Sequence, residues 1–171
     1  ERKIRSCRKA YGGRTSMHNQ SNFFGWQERA LGWLLGWGAA NAVLGAGAAR
    51  AGDETLKYVA RQAAGWGLVN LALAVNGRRS ARRQARTATR EQVAASIQRF
   101  RLILAVNAVL DIYYILGGTL LVRSAGANSR RKGTGFGIIL QGLFLGCYDA
   151  LLLAGAASHV EPPGVPGSGP G

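Results

Sequence analysis

Proline is absent from the first 161 residues. Pro162, Pro163, Pro166 and Pro170 all fall in the closing run EPPGVPGSGPG. No proline ring can kink or break the chain before that run, so long uninterrupted helices are open to it. Cysteine is scarce as well: Cys7 and Cys147 are too few for a disulfide framework, and packing is the expected role of Cys147. His18 and His159 are the only histidines and lack acidic or cysteine partners at one-turn spacing, so no metal site is expected and both read as solvated. A phosphate-cradling glycine loop is missing too, because Arg50 stands where the third glycine after Gly45 and Gly47 would be. With no nucleophile–base pair, metal cluster or cofactor loop, the expectation is a protein that is not an enzyme and carries no cofactor.

Acidic residues are also few, eight against 22 Lys and Arg, for a net charge of +14. In a soluble chain that excess would suggest nucleic acid. Here charge and apolarity are segregated, and the mean hydropathy of +0.01 averages two unlike populations. Four apolar stretches, about 30–49, 58–77, 102–122 and 135–157, alternate with basic segments, and no Lys or Arg follows Lys132. The first stretch has 20 uncharged residues, which at about 1.5 Å per residue spans roughly the 30 Å hydrocarbon core of a bilayer. Basic residues that punctuate hydrophobic spans suit membrane topology, so no nucleic-acid partner is expected. The fold class read from this pattern is all-α, a four-helix transmembrane bundle.

The domain reading is a basic tail with an interfacial aromatic segment over 1–29, a four-span membrane domain over 30–157, and a disordered Pro/Gly tail over 158–171. Met17 is the one methionine, and a natural start there would make 1–16 an upstream, unstructured extension. Phe23, Phe24 and Trp26 suit an anchor at headgroup level, and Arg61 can snorkel from the second span. Small residues over 46–51 also fit a signal-peptide cleavage site, but the length of the first span favours its retention. Thr89 followed by Gln92 has capping-box spacing, so the third helix is expected to begin about three turns before its span. The first tail and the 78–101 loop hold 15 basic residues against seven for the other two loops, which places both termini in the cytoplasm. Without 1–16 the balance is nine against seven.

Two echoes link the halves. NAVL at 41–44 recurs at 107–110, and GWGLV at 65–69 is echoed by GFGII at 135–139. The offsets, 66 and 70 residues, favour a tandem duplication of a two-helix hairpin, which would make the repeats parallel in topology.

Asp111 near the centre of the third stretch and Asp149 in the fourth are the residues that invite chemistry, because an unpaired carboxylate in lipid costs several kcal/mol. Asn107 stands one turn before Asp111, and Asn41, Asn70, Tyr114 and Gln141 complete a candidate intramembrane polar cluster. Tyr113 and Tyr148 are further sources of hydroxyls. Two readings of the cluster stay open: an ion or ligand site, or hydrogen bonds that hold helices together. Gly32 with Gly36, and Gly142 with Gly146, have the GxxxG spacing that lets helix backbones approach, within the chain or between copies. Arg78, Arg79, Arg82, Arg83 and Arg86 suit contact with anionic lipid headgroups.

Over about 24–157 the sequence resembles a family of small, uncharacterised bacterial membrane proteins with four spans. The likeness rests on LGW at 31–33 through Gly45, on GWGLVNL at 65–71, on 107–111 with Tyr114, and on GFG at 135–137 with Gln141 and Asp149. It implies the four-span fold and a bacterial inner membrane, but no reaction. The expected role is a binding, scaffold or accessory subunit of a membrane assembly, as a homo-oligomer or with a membrane-protein partner. The alternative is a small transporter or a proton- or cation-coupled protein that uses the intramembrane aspartates.

Overall fold

The computed structural model describes residues 2–50 and 52–159, with side chains from Phe23 onward. The side chains of Cys7 and His18 and the closing run therefore lie outside the described residues. Four helices follow one another: α1 (Arg2–Ala48), α2 (Glu54–Thr87), α3 (Arg90–Arg123) and α4 (Ser129–Ala157). Among the described residues there is no strand. The backbone of α1 begins at Arg2, where no ordered structure was expected. No proline interrupts the segment, so nothing in it stops the helix from extending backward.

Each later helix opens on a side-chain cap. Asp53 accepts from the Leu56 amide at 2.6 Å, and Asn128 accepts from the Arg131 amide at 3.0 Å. At α3 both halves of the expected capping box form, with Thr89 N donating to Gln92 at 2.9 Å and Gln92 N donating to Thr89 Oγ1 at 3.4 Å. The α3–α4 turn is closed by Gly126, whose φ of 53° is in the left-handed region that favours glycine.

The helices pair as two hairpins, α1 on α2 and α3 on α4, joined chiefly through α2 and α4. Glycine sets the closeness of these contacts. A Cβ added at Gly45 would lie 2.5 Å from Ala64 N, and one at Gly67 would lie 2.5 Å from Ala42 N, so α1 and α2 meet backbone to backbone. At Gly137 the obstacle would be Gln62 Cβ, also at 2.5 Å, which is how α4 approaches α2. Of the glycines expected to pack, Gly142 lies against Asp111 and Ile115 of α3, and Gly146 leaves room for the Asp111 side chain. Gly32 and Gly36 do not pack within the chain. Nothing lies within 4 Å of a Cβ at either, because α1 turns a different stripe, Gly38 and Gly45, toward α2.

The echoed motifs differ in what they touch. Gly65 faces open space and Gly67 faces α1, whereas Gly135 packs on α3 and Gly137 on α2. The fourth helix has close neighbours on two sides, so its glycines are divided between them.

Two helices, α3 and α4, are long and apolar enough to cross a membrane. Four were expected. The stretches at 30–49 and 58–77 fall short because glycine and tryptophan, with Asn41 in the first and Arg61, Gln62, Asn70 and Asn76 in the second, lower their hydropathy. Only 17% of the most apolar stretch of α3 and 22% of that of α4 are buried, unlike the core helices of a soluble protein. Large apolar side chains on every helix point outward, among them Trp33 (78% exposed), Leu68, Ile112 and Leu151.

The opposite arrangement holds at the end where α1 meets the last turns of α2 and the first turns of α3. There Phe23, Phe24, Ala81, Val93 and Ile97 form a buried apolar cluster flanked by Trp26 and Phe100. Phe23 meets Phe100 edge to face at 6.0 Å, and the His159 ring lies 5.1 Å from Trp26. The aromatic segment expected to anchor in lipid is thus interior. The reason is that α2 and α3 continue past it and cover it. His159, expected to be solvated, is half-buried against the same rings.

Candidate functional site: a carboxylate-lined cavity

The polar residues expected as one cluster form two. The first is closed on itself. Gln141 Nε2 donates to Asn41 Oδ1 at 2.9 Å, Trp37 Nε1 donates to Gln141 Oε1 at 3.2 Å, and Asn41 Nδ2 donates to the Trp37 carbonyl at 2.9 Å. This set ties the middle of α1 to the middle of α4, and its amide groups are satisfied by one another. Of the two readings left open by the sequence, helix adhesion fits this pair.

The second group surrounds a cavity of about 160 Å³ in the bundle, lined by Leu34, Trp66, Asn70, Leu73, Asn107, Leu110, Asp111, Tyr114, Leu145, Tyr148 and Asp149. Helical spacing explains the convergence. Asn107, Asp111 and Tyr114 are one turn apart on α3, Trp66 and Asn70 are one turn apart on α2, and Leu145 and Asp149 stand likewise on α4. Asn107 adjoins the Asp149 carboxylate. Trp66 packs edge to face on Tyr114 at 5.6 Å, and the Tyr148 hydroxyl donates to the Ala30 carbonyl at 2.9 Å. Trp66 was missed in the sequence, although its position one turn before Asn70 was a visible signal.

Two carboxylates line this space, and no Lys, Arg or His does. Asp111 is 3% exposed and its Oδ2 has no hydrogen-bond partner; Asn70 is 1% exposed and its Nδ2 has none either. Buried polar atoms left unpartnered cost about 1–3 kcal/mol each, and more when charged, so a group that supplies the missing partners gains that much in binding. An ammonium or another monovalent cation satisfies the carboxylates, and an oxygen acceptor satisfies Asn70. Among the described residues no three His, Cys, Asp or Glu side chains cluster.

The arginines divide too. Arg78 and Arg82 grip Glu28 of α1, with Nη2 to Oε1 distances of 3.1 and 2.6 Å. The Arg82 and Arg78 guanidinium groups hold the Glu28 carboxyl below the usual carboxylate range. Arg79, Arg83 and Arg86 are exposed. Two of the five arginines expected to face lipid headgroups are therefore engaged within the bundle. Glu28, the acid that engages them, stands one turn before the first apolar stretch is fully under way.

Fold and site define a class: an all-α bundle of two glycine-packed hairpins with a carboxylate-lined centre. The chain belongs to a family of unknown function, DUF6992, matched over residues 33–150. No curated protein and no solved structure matches the chain. The matched segment contains every residue that lines the cavity and leaves out Phe23, Phe24, Trp26 and Glu28.

Proposed function

We propose that this protein is a multi-pass protein of a bacterial inner membrane, with all four helices crossing the bilayer and both termini in the cytoplasm, and that its central cavity binds a small monovalent cation in a transporter or ion-coupled protein. The observation that carries the cation reading is the pair Asp111 and Asp149 around one cavity with unpartnered buried polar atoms and no basic side chain in its lining. Placing an Asp at the centre of a membrane helix costs about 2.5–3.5 kcal/mol on insertion scales, a cost that a bound cation offsets directly. Support for the lipid setting comes from the outward-facing apolar side chains of all four helices, including the two that fall short in mean hydropathy. The exposed Arg79, Arg83 and Arg86 suit anionic headgroups on the cytoplasmic side.

A second reading, an accessory subunit or homo-oligomer, is favoured by one specific observation: Gly32 and Gly36 present a small-residue stripe with nothing packed on it. We assign no reaction to the cavity.

Calorimetric titration of tetramethylammonium chloride into the full chain in lipid nanodiscs tests the cation reading. Saturable binding is expected for the natural chain and loss of binding for Asp111→Asn/Asp149→Asn, with helix content and thermal unfolding unchanged. Equal binding by both proteins, or none by either, overturns it.

A further inference from the structure

A second, larger space lies beside the cavity. It is an apolar groove of about 720 Å³ between α1 and α4, with Trp33, Gly36, Trp37, Ala40, Phe144 and Leu151 among its walls. Tyr148 is the one residue that lines both spaces. Its ring continues a ladder that runs along the groove: Tyr148 stacks on Phe144 at 5.9 Å and 13°, and Phe144 stacks on Trp37 at 3.8 Å and 9°. A groove this apolar adjoins two carboxylates, with no basic side chain lining their cavity, across a single side chain.

We infer that groove and cavity together bind one amphiphile, with a cationic head held by Asp111 and Asp149 and an apolar tail laid along the groove between α1 and α4. This inference rests on the cation reading of the cavity. Charge complementarity selects the head, because the cavity lining holds two acids and no base, and Asp111 Oδ2 and Asn70 Nδ2 lack partners there. A neutral acyl chain from the bilayer would fill the groove and leave those atoms unsatisfied. An ammonium head that carries an oxygen answers both, with its charge toward Asp111 and its oxygen toward Asn70. Trp66, Tyr114 and Tyr148 all line the cavity, and aromatic rings are favourable neighbours for an alkylammonium group. Tyr148, the residue shared by both linings, is then the partition, held by its hydroxyl bond to the Ala30 carbonyl, and an amphiphile that occupies both spaces has to pass its ring.

Binding to the full chain in nanodiscs, corrected against empty nanodiscs, tests this with three probes: tetramethylammonium, octyltrimethylammonium and octyl sulfate. The octyl chain should raise affinity over the bare head by about tenfold or more, since each buried methylene contributes. Gly36→Leu and Ala40→Leu each fill the groove, and Gly36 has no atom within 4 Å of an added Cβ to disturb the fold. Both variants should lose the gain while binding tetramethylammonium as before. Survival of the gain in both variants would assign it to bilayer partitioning and overturn the inference, as would octyl sulfate binding as tightly as octyltrimethylammonium. In either case, tetramethylammonium binding that depends on Asp111 and Asp149 leaves the cation reading standing. Failure of every cationic probe to bind overturns both.

Discussion

The arginine-rich end of the bundle and its middle are built on opposite principles. At the end, aromatic and aliphatic side chains are inside, with Phe23 fully buried against Ala81, Val93 and Ile97, while Arg79, Arg83 and Arg86 face out. In the middle, the buried side chains are Leu34, Leu104, alanines and the amides and acids Asn41, Asn70, Asp111, Gln141 and Asp149, while most of the large apolar side chains, among them Trp33, Leu68, Ile112 and Leu151, face out. The first pattern is what burial of apolar surface produces in water. The second is what remains when the surroundings are as apolar as the side chains, so that helices associate through close backbone packing and hydrogen bonds instead. One chain shows both, and on the proposed membrane reading the change of pattern along α1, between Phe24 and Trp33, falls where water gives way to lipid.

The largest effect that tests this contrast is expected at the end. Phe23→Ala removes a fully buried ring from the apolar cluster and should cost about 3–5 kcal/mol, read as a lowered unfolding temperature in nanodiscs. Leu44→Ala, on the outward face of the middle, should leave that temperature nearly unchanged. Equal losses at both positions would break the contrast.

Next in size is a charge placed on the outward face of the middle. Ile112 is 58% exposed on α3. On a soluble protein Ile112→Arg would be nearly neutral, whereas in a bilayer an arginine near the centre of a helix costs about 2.5–3.5 kcal/mol on insertion scales. The expected outcome is a drop in the fraction of the chain recovered in membranes, measured against Arg83→Glu at the arginine-rich end, which should not change it. An Ile112→Arg protein that inserts as well as the natural chain would place the middle of the bundle outside the hydrocarbon.

Much of this was open to reading in the residues. The four apolar stretches, the absence of proline and the Thr89 cap are local features, and local features place helices. The acids and amides within those stretches were recognisable as interior on the expectation of a lipid setting, where polar side chains face other helices. What could not be read is which interior residue meets which. Gln141 and Asp149 are both on α4, eight residues apart, yet one closes a network with Asn41 and the other opens on a cavity. The choice depends on how α4 is seated between α2 and α3, and that seating is set by Gly133 and Gly137 against α2 and Gly135 against α3, whose lack of side chains names no partner. Glycine spacing left the partner open for the same reason: Gly32 and Gly36 have the same interval as Gly142 and Gly146, and only the second pair lies in a contact within the chain. Phe23 and Phe24 looked like lipid anchors because their burial is supplied by α2 and α3, from residues far along the chain.

The smallest expected effect separates the two polar groups of the middle. Gln141→Leu preserves the apolar bulk of a side chain that is almost fully buried but strands Trp37 Nε1 and Asn41 Oδ1. Polar contacts between membrane helices average about 0.6 kcal/mol and reach about 1.7, so a modest fall in unfolding temperature is expected, with tetramethylammonium binding unchanged. Asp111→Asn should do the reverse, since Asp111 Oδ2 has no partner to lose: the fold is kept and binding is weakened. If both substitutions lowered stability and neither touched binding, the cavity would be adhesion of the same kind as the Asn41–Gln141 pair. A crossed result, stability lost at Gln141 and binding lost at Asp111, assigns holding the helices together to one set of buried polar groups and holding a ligand to the other.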